Sequence, residues 1–180
     1  MNCLPSIILG YGGLFLQRRN IFILVVIIAV LIVGLAVGLT LYEQSLIKVR
    51  LYEANDLHNQ AMDFDSGLSD AAMYTQSQRS LNDLNNEKGD LTSVSITIFT
   101  TQAQKDYTSK AIEINTINTN MFSDYLTLLQ DKKEGKLGDE VELAKDINTM
   151  HDSRLTLSNE RDSIVTEHPG DFGFVPDKQT

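Results

Sequence analysis

The chain has 180 residues, 42% of them hydrophobic, and a formal net charge of −9. The charge is uneven: residues 1–42 carry two arginines and no acid, whereas residues 43–180 carry 13 Lys/Arg against 24 Asp/Glu, a formal charge of −11. So acidic a region excludes nucleic acid and anionic lipid headgroups as its partners, since both are held by basic surfaces.

Residues 1–20 form an apolar leader (Leu4, Ile7, Ile8, Leu9, Leu14, Phe15, Leu16) that is too short to span a bilayer and ends on Arg18 and Arg19. It holds the only cysteine, Cys3, so nothing beyond it can be cross-linked by a disulfide. Residues 21–42 read IFILVVIIAVLIVGLAVGLTLY, without a charge. As a helix this run is about 33 Å long, enough to cross the hydrocarbon core of a membrane. Arg18 and Arg19 directly before it, and Glu43 directly after, predict a cytoplasmic N-terminus and an extracytoplasmic remainder, in the cell membrane. The rival reading is a signal peptide cleaved at Ala36-Val37-Gly38, which would release a secreted helical protein. The run outlasts the apolar core of about 7–15 residues that signal peptides carry, so an uncleaved anchor is expected. Within it Gly34-Leu35-Ala36-Val37-Gly38 is a GxxxG motif with Ala29 and Thr40 near the side of its glycines, and small residues such as Gly34, Ala36 and Gly38 let two membrane helices approach closely. A homodimer, or pairing with another membrane protein, is the expectation from that face, although glycine is also simply frequent in membrane helices.

Residues 43–167 contain no proline, so nothing there forces a helix to break. Two polar clusters punctuate them, Asn85–Asp90 and Lys132–Gly138, and predict three helical segments. The first, from Glu43 to about Leu84, places Ile47, Leu51, Ala54, His58, Ala61, Leu68 and Ala72 near one stripe, with a kink or short break at Asp65-Ser66-Gly67. The second, from about Thr92 to Gln130, spaces Ala103, Tyr107, Ala111, Ile114, Ile117, Met121, Tyr125 and Leu128 by threes and fours. Its start, Ser93 to Ile98, alternates like a strand, but no second strand candidate exists to pair with it, so helix is expected. The third, Asp139 to Glu167, opens on Asp139, Glu140 and Glu142, as the positive end of a helix dipole favours. Leu143, Ile147, Met150, Leu157 and Ile164 follow a coiled-coil frame whose remaining seam positions are Arg154 and Arg161. Residues 168–180 read as a polar tail with a small Phe172/Phe174/Val175 patch. The predicted fold is all-α: one N-terminal transmembrane helix continuing into an elongated extracytoplasmic helical hairpin or three-helix bundle.

The candidate functional residues are few. Arg154 and Arg161 can pair with acids across the seam, or cover it with their aliphatic stems while the charged heads reach water. His58 and His151 sit among apolar neighbours, where a histidine is usually accommodated by packing and only sometimes senses pH. Asp63 to Asp70 resembles the opening of a calcium loop, but Gly67, Leu68 and Tyr74 occupy the positions that need an oxygen ligand, a glycine and a glutamate. Neither a nucleophile constellation nor a metal-ligand or phosphate-loop motif occurs, so no cofactor and no enzymatic activity are expected.

The plan of one anchor helix running into a helical bundle resembles half of a bacterial or archaeal sensor ectodomain, as in chemoreceptors. It departs from that plan in having no second membrane segment or signalling module, so signalling would need a partner. The expected function is protein–protein interaction or assembly by a membrane-anchored bundle. The alternative is an accessory sensor-like domain with a small ligand between its helices.

Overall fold

A computed structural model describes the backbone of residues 11–63, 65, 67–136 and 140–175, and the side chains of these residues except 11–19 and 140. The expectations placed on residues 1–10 with Cys3, on Ser66, on Asp139 and on the last five residues lie outside it. Helix α1 spans Tyr11–Met62, α2 Asp70–Ser95, α3 Gln102–Glu134 and α4 Glu140–Glu167, followed by a 3-10 turn at Pro169–Asp171. No strand occurs among the described residues. The chain divides into two compact units between Glu43 and Gln44.

In the first unit every described side chain from Asn20 to Tyr42 is exposed. It contains the one described helix long and apolar enough to cross a membrane.

The second unit is a bundle of four helices rather than the expected three. The rest of α1 and α2 run in opposite directions, as Arg50 Nη1 donates to Ser93 Oγ at 2.8 Å and Gln76 Nε2 to the Asp63 carbonyl at 2.8 Å. α3 reverses again, with Lys132 Nζ 2.8 Å from Asp70 Oδ2, and α4 reverses once more, with Lys110 paired to Glu160. The extra helix arises because α1 stops at Met62, near the anticipated weak point, where Asp65 Oδ1 accepts from the Gly67 N–H at 2.8 Å and turns the chain.

The turn anticipated at Asn85–Asp90 is instead the middle of α2. Its exposed positions are the polar ones that read as loop, Asn85, Asn86, Lys88 and Gly89. Leu84, Glu87 and Leu91 face inward and carry the helix through. The actual turn lies at residues 96–101, so α3 begins ten residues later than expected. There Thr101 caps α3 through a capping box with Gln104. Gly135, at φ 72°, ends α3 in the left-handed conformation that glycine adopts without strain.

The α1 stripe of Ile47, Leu51, Ala54, His58 and Ala61 is buried as predicted; Leu68 is beyond the break and exposed. Ile47, Leu51 and Ala54 pack with Leu91 and Val94 of α2, Tyr107 and Ala111 of α3, and Val165 of α4. Burying each large aliphatic side chain here contributes about 1.5–3 kcal/mol. A second cluster joins Ala61, Leu84 and Phe122. The segment read as a polar tail is partly core: Phe172 is 5% exposed and stacks at 5.2 Å on Tyr107, with Phe174 at 5.9 Å from the same ring. Aromatic burial of this kind outweighs the polarity of the residues around it.

Candidate functional site

Between the two apolar clusters the bundle carries a buried polar centre. Heptad-like spacing puts Glu87 between Leu84 and Leu91 on the inner face of α2, so a carboxylate occupies a seam position. Glu87 is 2% exposed, and its Oε2 accepts from Asn115 Nδ2 at 2.8 Å. The same amide donates to the Leu84 carbonyl at 2.7 Å. His58, from α1, brings Nδ1 to 3.2 Å of Glu87 Oε1, an ion-pair distance without hydrogen-bond alignment. Three helices thus meet on one carboxylate. Asn118 and Ser158 are also buried, and neither their side chains nor His58 Nε2 reach a protein partner.

One layer away lies Arg161, 2% exposed, with Nε and Nη2 on Asp162 Oδ1 at 2.9 and 2.8 Å and its guanidinium 5.8 Å above the Tyr107 ring. Its head group does not reach water, contrary to the expectation that only its stem would cover the seam; a same-helix carboxylate and an aromatic face hold it inside. Burial pushes the Tyr107 phenol well above the usual tyrosine range, with Arg161 opposing and Glu87 and Asp162 adding to the rise.

Arg154 is half-buried and differs from Arg161 in lacking a carboxylate partner among the described residues. Its Nη1 donates to Met62 Sδ at 3.0 Å, while Nε is buried without a partner. Desolvation, and then the charge of Arg161, lower its affinity for its proton. Arg154 borders a cavity of about 320 Å³ between α1, α3 and α4, lined also by Met62, Met121, Phe122, Tyr125, Ile147 and His151. A cationic head beside thioether and aromatic walls suits a small ligand with an apolar body.

The other expected site residues do not contribute to this centre. Gly34, Ala36 and Gly38 are exposed on α1, and a methyl group added at either glycine would meet nothing within 4 Å. Arg18 and Arg19 belong to α1, with side chains outside the described residues. His151 is exposed at the cavity, not buried like His58. Among the described residues no group of three or more His, Cys, Asp or Glu is placed to hold a metal ion.

Sequence reasoning singled out His58 but missed Glu87, which it faces, and Asn115, which donates to Glu87. The available signal was the spacing of Glu87, three residues after Leu84 and four before Leu91, which the presumed turn at residues 85–90 concealed. No family model matches the chain, and neither the curated proteins nor the solved structures include a match to it.

Proposed function

We propose that this chain is a non-catalytic, single-pass membrane protein. Its N-terminus faces the cytoplasm, and its extracytoplasmic helical bundle works by protein–protein contact, as a homodimer or with another membrane protein. The observation that carries this reading is the run Ile21–Tyr42, an α-helical surface of aliphatic side chains that are all exposed. Water is a poor solvent for such a surface and lipid a good one. Arg18 and Arg19 on one side and Glu43 on the other supply the orientation. Gly34 and Gly38, with open space beside them, supply a face on which a second membrane helix can pack. The polar side chains of the bundle core are engaged across helices or enclosed, which suits a scaffold better than a catalyst.

The test is disulfide crosslinking in native membranes, with single cysteines from Leu31 to Leu41 in a Cys3→Ser background. Crosslinks peaking on the Gly34/Gly38 side support a specific dimer. Uniformly weak crosslinking removes the homodimer and leaves a different membrane partner. A second reading, an accessory sensor-like domain, draws support from the cavity at Arg154, where a buried guanidinium nitrogen lacks a partner.

A further inference from the structure

The turn between α2 and α3 carries two of the most exposed large apolar side chains of the bundle, Ile96 at 78% and Ile98 at 86%. They are not on a floppy segment. Thr100 Oγ1 donates to the carbonyls of Val94 at 2.9 Å and Thr97 at 2.8 Å, and Thr97 Oγ1 donates to the Ser93 carbonyl at 3.0 Å. The turn therefore presents two isoleucines outward, two residues apart, on a hydrogen-bonded backbone.

Two further observations identify what covers them. The segment Leu91–Gln104 contains no charged residue, inside a region whose formal charge is −11. An acidic surface is repelled by anionic headgroups, so an uncharged apolar tip is the part that can approach a bilayer. In addition, Gln44 Nε2 donates to the Phe99 carbonyl. Gln44 is the second residue after Tyr42, where the apolar run ends, so the chain itself keeps the tip within a few residues of that end.

We propose that Ile96 and Ile98 form a membrane-contacting tip that inserts into the interfacial layer of the bilayer, a second point of attachment in addition to the apolar helix. This rests on the reading of Ile21–Tyr42 as a membrane span. Two aliphatic side chains without a basic patch give a contact that depends on apolar burial and not on lipid charge.

The test uses the full chain in phosphatidylcholine nanodiscs containing spin-labelled lipid, in a Cys3→Ser background. An environment-sensitive fluorophore is attached at Ile98→Cys, at Leu31→Cys, or at Val141→Cys. Val141 is as exposed as Ile98, at 84%, but borders a groove that Leu128 also lines, toward the other end of α3. The expected result is quenching at Ile98→Cys and Leu31→Cys at least about twofold stronger than at Val141→Cys, and not strengthened when phosphatidylserine is added. Quenching at Leu31→Cys alone overturns the tip and leaves the anchor standing. Absence of quenching at Leu31→Cys overturns both. Concentration-dependent energy transfer between labelled copies at Ile98→Cys, without lipid quenching, assigns the tip to a protein contact and overturns the proposal.

Discussion

At the scale of residues, the bundle places its polar groups where each loss has a calculable consequence. Asn115 donates to both the Leu84 carbonyl and the Glu87 carboxylate. Asn115→Ala therefore leaves two buried acceptors with a lost donor, and the expected loss is about 2–4 kcal/mol by urea unfolding. A loss below 1 kcal/mol, on the order of a surface substitution, would mean that the carboxylate is solvated in solution. Tyr107 makes a pH prediction. Its buried phenol holds its proton more tightly in the folded than in the unfolded chain. The native state then binds more protons above the ordinary tyrosine value of about 10, so stability is fully present below that pH and falls as pH rises beyond it. Tyr107→Phe should flatten that alkaline loss, read as unfolding midpoints between about pH 9 and 11. A loss of the same steepness in the variant would assign it to other groups. None of these roles was legible residue by residue: His58 stood out because it interrupts an apolar stripe, but a glutamate or asparagine in a polar stretch carries no mark of burial.

At the scale of elements, periodicity was read correctly along α1 and the first half of α3 and misread in α2. After Ile114 it slipped by one residue: Asn118, Phe122 and Leu129 are buried, and not Ile117, Met121 and Leu128. The α1 stripe through Ile47, Leu51, Ala54, His58 and Ala61 and the span of α4 could be anticipated because aliphatic residues mark nearly every inward position of one and charged residues open the other. In α2 the inward positions are Ser77, Ser80, Leu84, Glu87, Leu91 and Val94, half of them polar, so the pattern disappears and composition alone suggested a turn. Gly89 tests the correction directly. It lies on the exposed side of α2, with nothing within 4 Å of where a methyl would go. Gly89→Ala should stabilise the bundle by about 0.5–1 kcal/mol, whereas a glycine needed for a turn would make the same change costly. The α3 start offers the complementary measurement. Thr101 Oγ1 accepts from the Gln104 N–H at 3.2 Å and donates to Asp171 Oδ2 at 3.0 Å, so Thr101→Ala should cost about 1 kcal/mol. Full stability in that variant would place the start of α3 elsewhere.

At the scale of the whole molecule, the surface of the first unit suits a nonpolar solvent and that of the second suits water. Ile21–Tyr42 exposes aliphatic side chains throughout, while the region after it is acidic and encloses its own core. If lipid is that solvent, a charge in the run's centre costs about 2.5–3.5 kcal/mol in insertion. Leu31→Lys combined with Leu35→Lys should then move the chain from the carbonate-resistant membrane pellet toward the soluble fraction. An unchanged pellet would count against a span. The meeting of His58, Glu87 and Asn115 bears on how such a bundle can move. A helix sliding along its neighbour finds new comfortable seats only at discrete steps, a turn or two apart, because side chains interlock. Here the polar seat occurs once: moving α1 one turn, about 5.4 Å, past α2 would set Ala54 or Met62 at the height of Glu87 and leave its carboxylate with Asn115 alone. The stack is thus keyed like a lock with a single notch, which disfavours an axial stroke between these two helices.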